Sequence, residues 1–202
     1  WGIEAMLANP RMAALSGAVL AFLLLVLWAW AGGVDALGLT SFAIRFLHVL
    51  SGMVWVGLIV FINFVQLEVS RTGDDATRSV LHSAIAPAVA WWVRHSSTAT
   101  VASGFLLLVL AGYALPSLVY GSAVYLPPAR STMLWLGVLA AFAMWTFVHM
   151  YIWPNMQVVI GLRPGDAAAK AEARARVVRY ARANLLLAIP VTLVMIAAAH
   201  LY

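Results

Sequence analysis

Five long apolar stretches, residues 12–31, 42–65, 98–118, 133–152 and 185–202, constrain this chain more than any other feature. Each is close to the roughly 20 residues that an α-helix needs to cross a hydrocarbon core about 30 Å thick. In lipid the backbone must satisfy its own hydrogen bonds, and an uninterrupted apolar run does that as a helix. The rest of the chain offers no competing soluble core: 64% of residues are hydrophobic and 9% charged, against roughly 45–50% and 25% in soluble domains. The reading is an all-α integral membrane protein with five transmembrane helices. Helices two to five are expected to form a four-helix bundle within one polytopic domain spanning residues 1–202. No basic segment and small-residue cleavage site flank the first stretch, so it is expected to be a span, not a signal peptide.

Charge placement sets the expected orientation. If the spans alternate, Arg11, Arg71, Arg78, Arg94, Arg163, Lys170, Arg174, Arg176, Arg179 and Arg182 share one side, and only Arg45 and Arg130 of the 12 Lys and Arg lie on the other. Short loops rich in Lys and Arg stay cytoplasmic. The chain is therefore expected in a bacterial inner membrane, with a cytoplasmic N-terminus and a periplasmic C-terminus. The net charge of +5 is explained by attraction to anionic headgroups, so no nucleic-acid partner is needed. With no cysteine, disulfides, iron–sulfur clusters and covalent c-type haem are excluded within this chain. All 7 acidic residues fall outside the spans, which argues against a carboxylate proton relay through them.

The link 68–97 is expected on the inner side, with Pro87 opening a helix that runs into the third span. Tyr120 and Tyr125 in the third link read as interfacial anchors. Gly161, Pro164 and Gly165 mark a break, Asp166 a helix N-cap, and residues 167–184 an amphipathic stretch at headgroup level. Pro190 is expected to kink the fifth span.

Four histidines sit at ends of different spans: His48, His95, His149 and His200. Antiparallel threading puts His48 and His200 near the outer face and His95 and His149 near the inner one. Two imidazoles from facing helices make a six-coordinate haem site, and bundles build cofactor sites from facing helices. From Met133 to His149 is about 24 Å of helix, which separates the two sites by roughly 20 Å. The reading is haem b, two per chain, with one per chain as the reduced form of the same idea. Arg45, three residues before His48, would face an outer propionate. Ser51 and Gly52 leave room for a macrocycle beside His48, as Thr98, Ala99 and Ala102 do beside His95. Trp55 and Trp145 could pack on a haem edge. Interfacial histidines without a ligand are the competing reading.

Other polar groups are weaker signals. Asn63 and Gln66, Asn155 and Gln157, and Asn184 lie at one depth, and could meet a quinone headgroup, a small substrate or a propionate. Helix capping and interhelical hydrogen bonds compete. Met53, Met144, Met150, Met156 and Met195 raise copper handling, but their spacing favours packing. His82 reads as a solvated loop residue.

Residues 42–57, from Phe42 through Arg45, His48 and Gly52 to Gly57, followed by Asn63-Phe64-Val65-Gln66, resemble the urate-oxidase N-terminal-domain family, which includes membrane urate hydroxylases. Ile152-Trp153-Pro154-Asn155-Met156-Gln157 and His200 add to the similarity. The resemblance implies a short member without a cytochrome c domain, a redox-linked membrane module with His48 as the matching residue. The leading functional expectation is a membrane-embedded b-type cytochrome that transfers electrons within or across the bilayer. Its partners would be lipid and a cytochrome c or quinone. The alternatives are a cofactor-free accessory subunit of a larger respiratory or photosynthetic membrane complex, and the membrane module of a urate-oxidising enzyme.

Overall fold

A computed structural model describes residues 2–110, 113 and 127–201. Those residues are helical with short connections, and no strand occurs among them. Five helices are long and apolar enough to cross a membrane. Tyr120, Tyr125, the end of the third expected span and Tyr202 lie outside the described residues.

The chain divides into two compact units, Trp1–Ala43 and Ile44–Tyr202. In the first, α1 (Ile3–Ala8) precedes α2 (Pro10–Gly32). Asn9 caps α2: its Oδ1 accepts the amides of Arg11 at 3.0 Å and Met12 at 3.4 Å, and Pro10 fills the first helical position, where no N–H is needed. Gly33, at φ 62°, closes the helix in the left-handed conformation that favours glycine. No residue of α2 is buried; Trp28 and Trp30 are 73% and 82% exposed.

The unit boundary falls inside α3 (Ala36–Phe61), which passes through a π-helical turn, Ile62–Gln66, into α4 (Leu67–Thr72). After Gly73 and Asp74 comes α5 (Asp75–Val80), a second π-turn (Leu81–Ile85) and α6 (Ala86–Leu110). α7 (Pro128–Thr146) runs through a third π-turn (Phe147–Ile152) into α8 (Trp153–Val159), and α9 covers Ala167–His200. The link expected at 68–97 is thus almost wholly helix, broken only near Gly73. His82 is in a π-turn, half-buried, not in a loop. Asp166 caps α9 by accepting the Ala169 amide at 2.7 Å, and α9 continues through Pro190 unbroken.

Two of the π-turns have a plain cause. Pro87 and Pro154 each lie two residues past one. A helical proline lacks the N–H and pushes on the carbonyl four residues back, and a widened turn relieves both problems. At the first, Ile62–Gln66, Asn63 Nδ2 donates to the Ile59 carbonyl at 2.9 Å, inserting a side chain into the backbone ladder.

Trp55 and Ile59 of α3, Val93 of α6, Met144 of α7, Val148 of the third π-turn and Ala188 of α9 form one buried core. The second to fifth apolar segments therefore meet around a shared centre. The buried face of α9 is mostly small: Ala173, Val177, Ala181, Asn184, Ala188, Ala197 and Ala198. Small residues let backbones approach, and α9 packs along α7 and α8. The segment expected at headgroup level thus buries Ala173, Val177 and Ala181 against protein and leaves Arg176, Arg179 and Arg182 exposed. At the opposite end of α9, Arg130 Nε donates to the Ala198 carbonyl at 3.0 Å, satisfying an acceptor that the helix terminus leaves free.

Candidate functional site

The histidines fall into distinct settings. His48 is half-buried on α3 and leans on α6, its Nδ1 2.9 Å from the Thr100 carbonyl and 3.3 Å from Ser103 Oγ. A carbonyl only accepts, so Nδ1 carries the proton and Nε2 keeps its lone pair. Gly104 makes the approach possible: a Cβ there would lie 3.0 Å from His48 Cε1. Thr100 Oγ1 also donates to Ser51 Oγ at 3.0 Å, and a Cβ on Gly52 would stand 3.7 Å from Thr100 Cγ2. The small residues expected beside His48 therefore seat α6 against α3.

His95 and His149 share one local design. His95 Nδ1 lies 2.7 Å from the Trp91 carbonyl, and the two rings stack with centroids 4.0 Å apart. His149 Nδ1 lies 3.0 Å from the Trp145 carbonyl, and those rings stack at 4.5 Å. Each histidine follows its tryptophan by four residues, one helical turn. The proton on Nδ1 leaves Nε2 as the acceptor, and His149 Nε2 takes the Thr98 hydroxyl at 3.2 Å. Thr98 Oγ1 in turn accepts Trp145 Nε1–H at 3.2 Å. Thr98 is three residues beyond His95, so α6 and the α7 extension meet at the level where both histidines stand.

The other expected site residues are placed less tightly. His200 ends α9 and is exposed, as is Arg45 on α3. No hydrogen bond or ring contact joins His48 to His200 among the described residues. Trp55 is committed to the buried core, 3% exposed, so it is not free to face a macrocycle. Met144 is core, Met195 packs on Gly137, and Met53 and Met150 are exposed; the methionines do not converge. No group of three or more His, Asp or Glu positioned for a metal ion occurs among the described residues. A two-imidazole axial site needs no such group.

Three of the five amides expected at one depth converge. Asn63, Gln66 and Asn184, 5%, 6% and 2% exposed, line a partly open cavity. Its walls include Ile59, Val93, Val148, Ile152 and Trp153. Asn63 Nδ2 donates to the carbonyls of Ile59 at 2.9 Å and Ala181 at 3.1 Å, which fixes the amide with Oδ1 turned away from both. Asn63 Oδ1, Gln66 Oε1 and Asn184 Oδ1 are buried without a partner. Arg94 Nε, also on the wall, is likewise unpartnered, while its guanidinium carbon sits 4.3 Å from the centre of the Trp153 ring. Gln157 does not line this cavity, and Asn155 Nδ2 caps the Tyr151 carbonyl at 2.7 Å.

The paired Trp-x-x-x-His segments, 91–95 and 145–149, and the polar stripe Ser96, Thr100, Ser103 and Gly104 were not part of the sequence expectation. Both signals are visible in the sequence, as a repeat at a spacing of four and as small polar residues on one helical face. Comparison with protein-family models, with characterised proteins and with solved structures returns no match. The likeness to the urate-oxidase N-terminal-domain family rests on the short motifs alone.

Proposed function

We propose that the chain is a multi-pass inner-membrane protein that carries electrons through bis-histidine b-type haem. The observation that supports this reading is shared by three histidines. His48, His95 and His149 each hold Nδ1 on a backbone carbonyl, which fixes the tautomer with the lone pair on Nε2; in His149 that lone pair accepts the Thr98 hydroxyl. Metal-ligating histidines are oriented in this way by the partner of the other ring nitrogen. For the inner pair, His95 and His149, Thr98 ties the two helices at that level, and its hydroxyl would have to leave His149 Nε2 for that nitrogen to hold iron. The outer pair, His48 and His200 with Arg45, rests on the threading.

Haem, if held by these imidazoles, would supply one-electron redox chemistry. The chain's own part is to fix imidazole rotamers by stacking on Trp91 and Trp145. Helical turns beyond the apolar segments carry Arg71, Arg78, Arg94, Lys170, Arg174, Arg176, Arg179 and Arg182 at one end, which supports a cytoplasmic location for that end. A cytochrome c or a quinone is the corresponding redox partner class. The urate-oxidising alternative has motif similarity as its support, and it requires urate-dependent reduction of the pigment.

A second reading, a cofactor-free subunit of a larger membrane complex, is favoured by α2, an apolar helix none of whose residues is buried. A pyridine haemochrome assay separates the two. The haem reading expects pigment in the purified chain, with His48→Ala and His149→Ala each removing about half. Colourless protein, or loss of all pigment from either change, overturns the two-haem form.

A further inference from the structure

The cavity between α3, α6, α9 and the third π-turn holds an unusual set of free polar atoms. Three are amide oxygens, which only accept, and one is a guanidinium N–H, which only donates. A buried polar atom without a partner costs about 1–3 kcal/mol, so four turned toward one space favour a ligand that pairs with them. The remaining wall is aliphatic and aromatic. Apolar walls with a few convergent polar groups are the composition of small-molecule sites.

These constraints select the occupant's chemistry. Its body is apolar and compact, and it must bring more hydrogen-bond donors than acceptors. A metal cation meets the oxygens but not Arg94, whose positive charge borders the same space. A fatty-acyl chain meets none of the polar atoms. An aromatic ring with hydroxyl groups meets all of them: its O–H groups donate to the amide oxygens, and a hydroxyl oxygen accepts from Arg94 Nε–H. In an apolar five-helix protein, such a ring would arrive from the lipid phase.

We propose that this cavity binds the reduced head of a lipid-soluble benzoquinol, and binds it in preference to the oxidised quinone. The preference follows from Asn63. Its amide is locked by two donated bonds, so Oδ1 stays an acceptor. A quinone, with carbonyls only, leaves that oxygen unpaired, whereas a quinol fills it. The proposal goes beyond the haem reading and does not depend on it, because no histidine contributes to the cavity wall.

The test is anaerobic calorimetric titration of the purified full chain in phosphatidylcholine nanodiscs with a decyl-benzoquinol, and in parallel with the matching quinone. Empty nanodiscs supply the partitioning background. Saturable binding of the quinol is expected, with the quinone about tenfold weaker or more, the equivalent of one lost hydrogen bond at such a site. Asn63→Leu should weaken quinol binding by about tenfold and narrow the difference between the two forms. Gln66→Leu, which breaks no intraprotein bond seen here, should weaken it as well and decides the matter if Asn63→Leu does not fold. Asn155→Leu, outside the cavity, should leave it unchanged. Equal affinity for both redox forms, no saturable heat above lipid, or unaltered binding in the folded variants overturns the proposal. Haem content is read separately in the same samples, so a colourless protein that binds quinol counts against the haem reading alone.

Discussion

Replacing Gly104 with alanine tests the seat of His48 with a single methyl group. The new Cβ would stand 3.0 Å from His48 Cε1 and 3.4 Å from Nδ1, close enough to push the ring off its place on α6. Overpacking of this kind costs about 1–3 kcal/mol, and loss of the Nδ1–H bond to the Thr100 carbonyl adds about 1 kcal/mol. Against this, alanine in a helix interior is favoured over glycine by roughly 0.5–1 kcal/mol. The net expectation is destabilisation of about 1–2 kcal/mol, because ring displacement relieves part of the clash. Gly57→Ala is the matched control: a Cβ there meets nothing within 4 Å, so only the propensity gain remains, roughly 0.5–1 kcal/mol. The gap of about 2 kcal/mol corresponds to roughly 4–8 °C in Tm for a chain this size. Thermal unfolding of both variants in the same detergent, followed by tryptophan fluorescence, measures it. If Gly104→Ala melts with or above Gly57→Ala, His48 does not rest on α6 as described, and its tautomer assignment falls with that contact.

Two other substitutions probe different joints. Gly137 sits where α7 meets α9, and a Cβ there would come within 2.8 Å of Met195 Cε and 3.2 Å of Val194 Cγ2. The methionine end can swing aside, so Gly137→Ala should shift Tm little, while Gly137→Leu should lower it by several degrees on the same melting assay. Asp74, between α4 and α5, accepts hydrogen bonds from the side chain and amide of Thr77, which hold its carboxyl below the ordinary carboxylate range. The folded value being depressed, the cap is fully effective above the unfolded value of about 3.9 and is lost as pH falls through the lower folded value. The protection factor of the Thr77 amide, its exchange rate relative to the unprotected rate at the same pH, should therefore fall on acidification through that range, and in Asp74→Asn it should stay flat with pH.

Much of this architecture is legible in the sequence because lipid leaves few choices. Runs of about 20 apolar residues have to be helices, and five helices long and apolar enough to cross a membrane occur among the described residues. Asp166 and the glycine–proline break before it are local chemistry, readable without tertiary context. The long inner helices were harder: residues 68–97 look polar and link-like, yet Leu81, Ala86 and Val93 are buried there. One apolar residue every turn or so suffices when the neighbouring surface is protein rather than lipid. Trp55 shows the opposite difficulty. Seven residues from His48, it is a reasonable neighbour for a macrocycle, but the core takes it. Which way a large aromatic points depends on what the other three helices present, and a single span does not record that. Asn63, Gln66 and Asn184 could be matched by depth alone, since equal distance from the membrane face is a one-dimensional property. Their shared cavity is a three-dimensional one.

The cavity and the inner histidine pair are built from the same two helical turns. Arg94 and Val148 line the cavity, and the next residues in the chain are His95 and His149. Successive residues on a helix do not share a face, so each turn shows one side chain to the cavity and the following one to the level of Thr98. An occupant that moves Arg94 or Val148 therefore strains the Trp-x-x-x-His turn beside it, while His48, held by Thr100 and Ser103, is insulated from it. Titrating benzoquinol into the haem-free chain should shift the imidazole Cε1–H resonances of His95 and His149 in proton NMR spectra and leave that of His48 in place. Equal shifts at all three would mean that the ligand acts through the bulk membrane phase rather than through these walls. Shifts at His48 alone would locate its binding at the opposite end of α6.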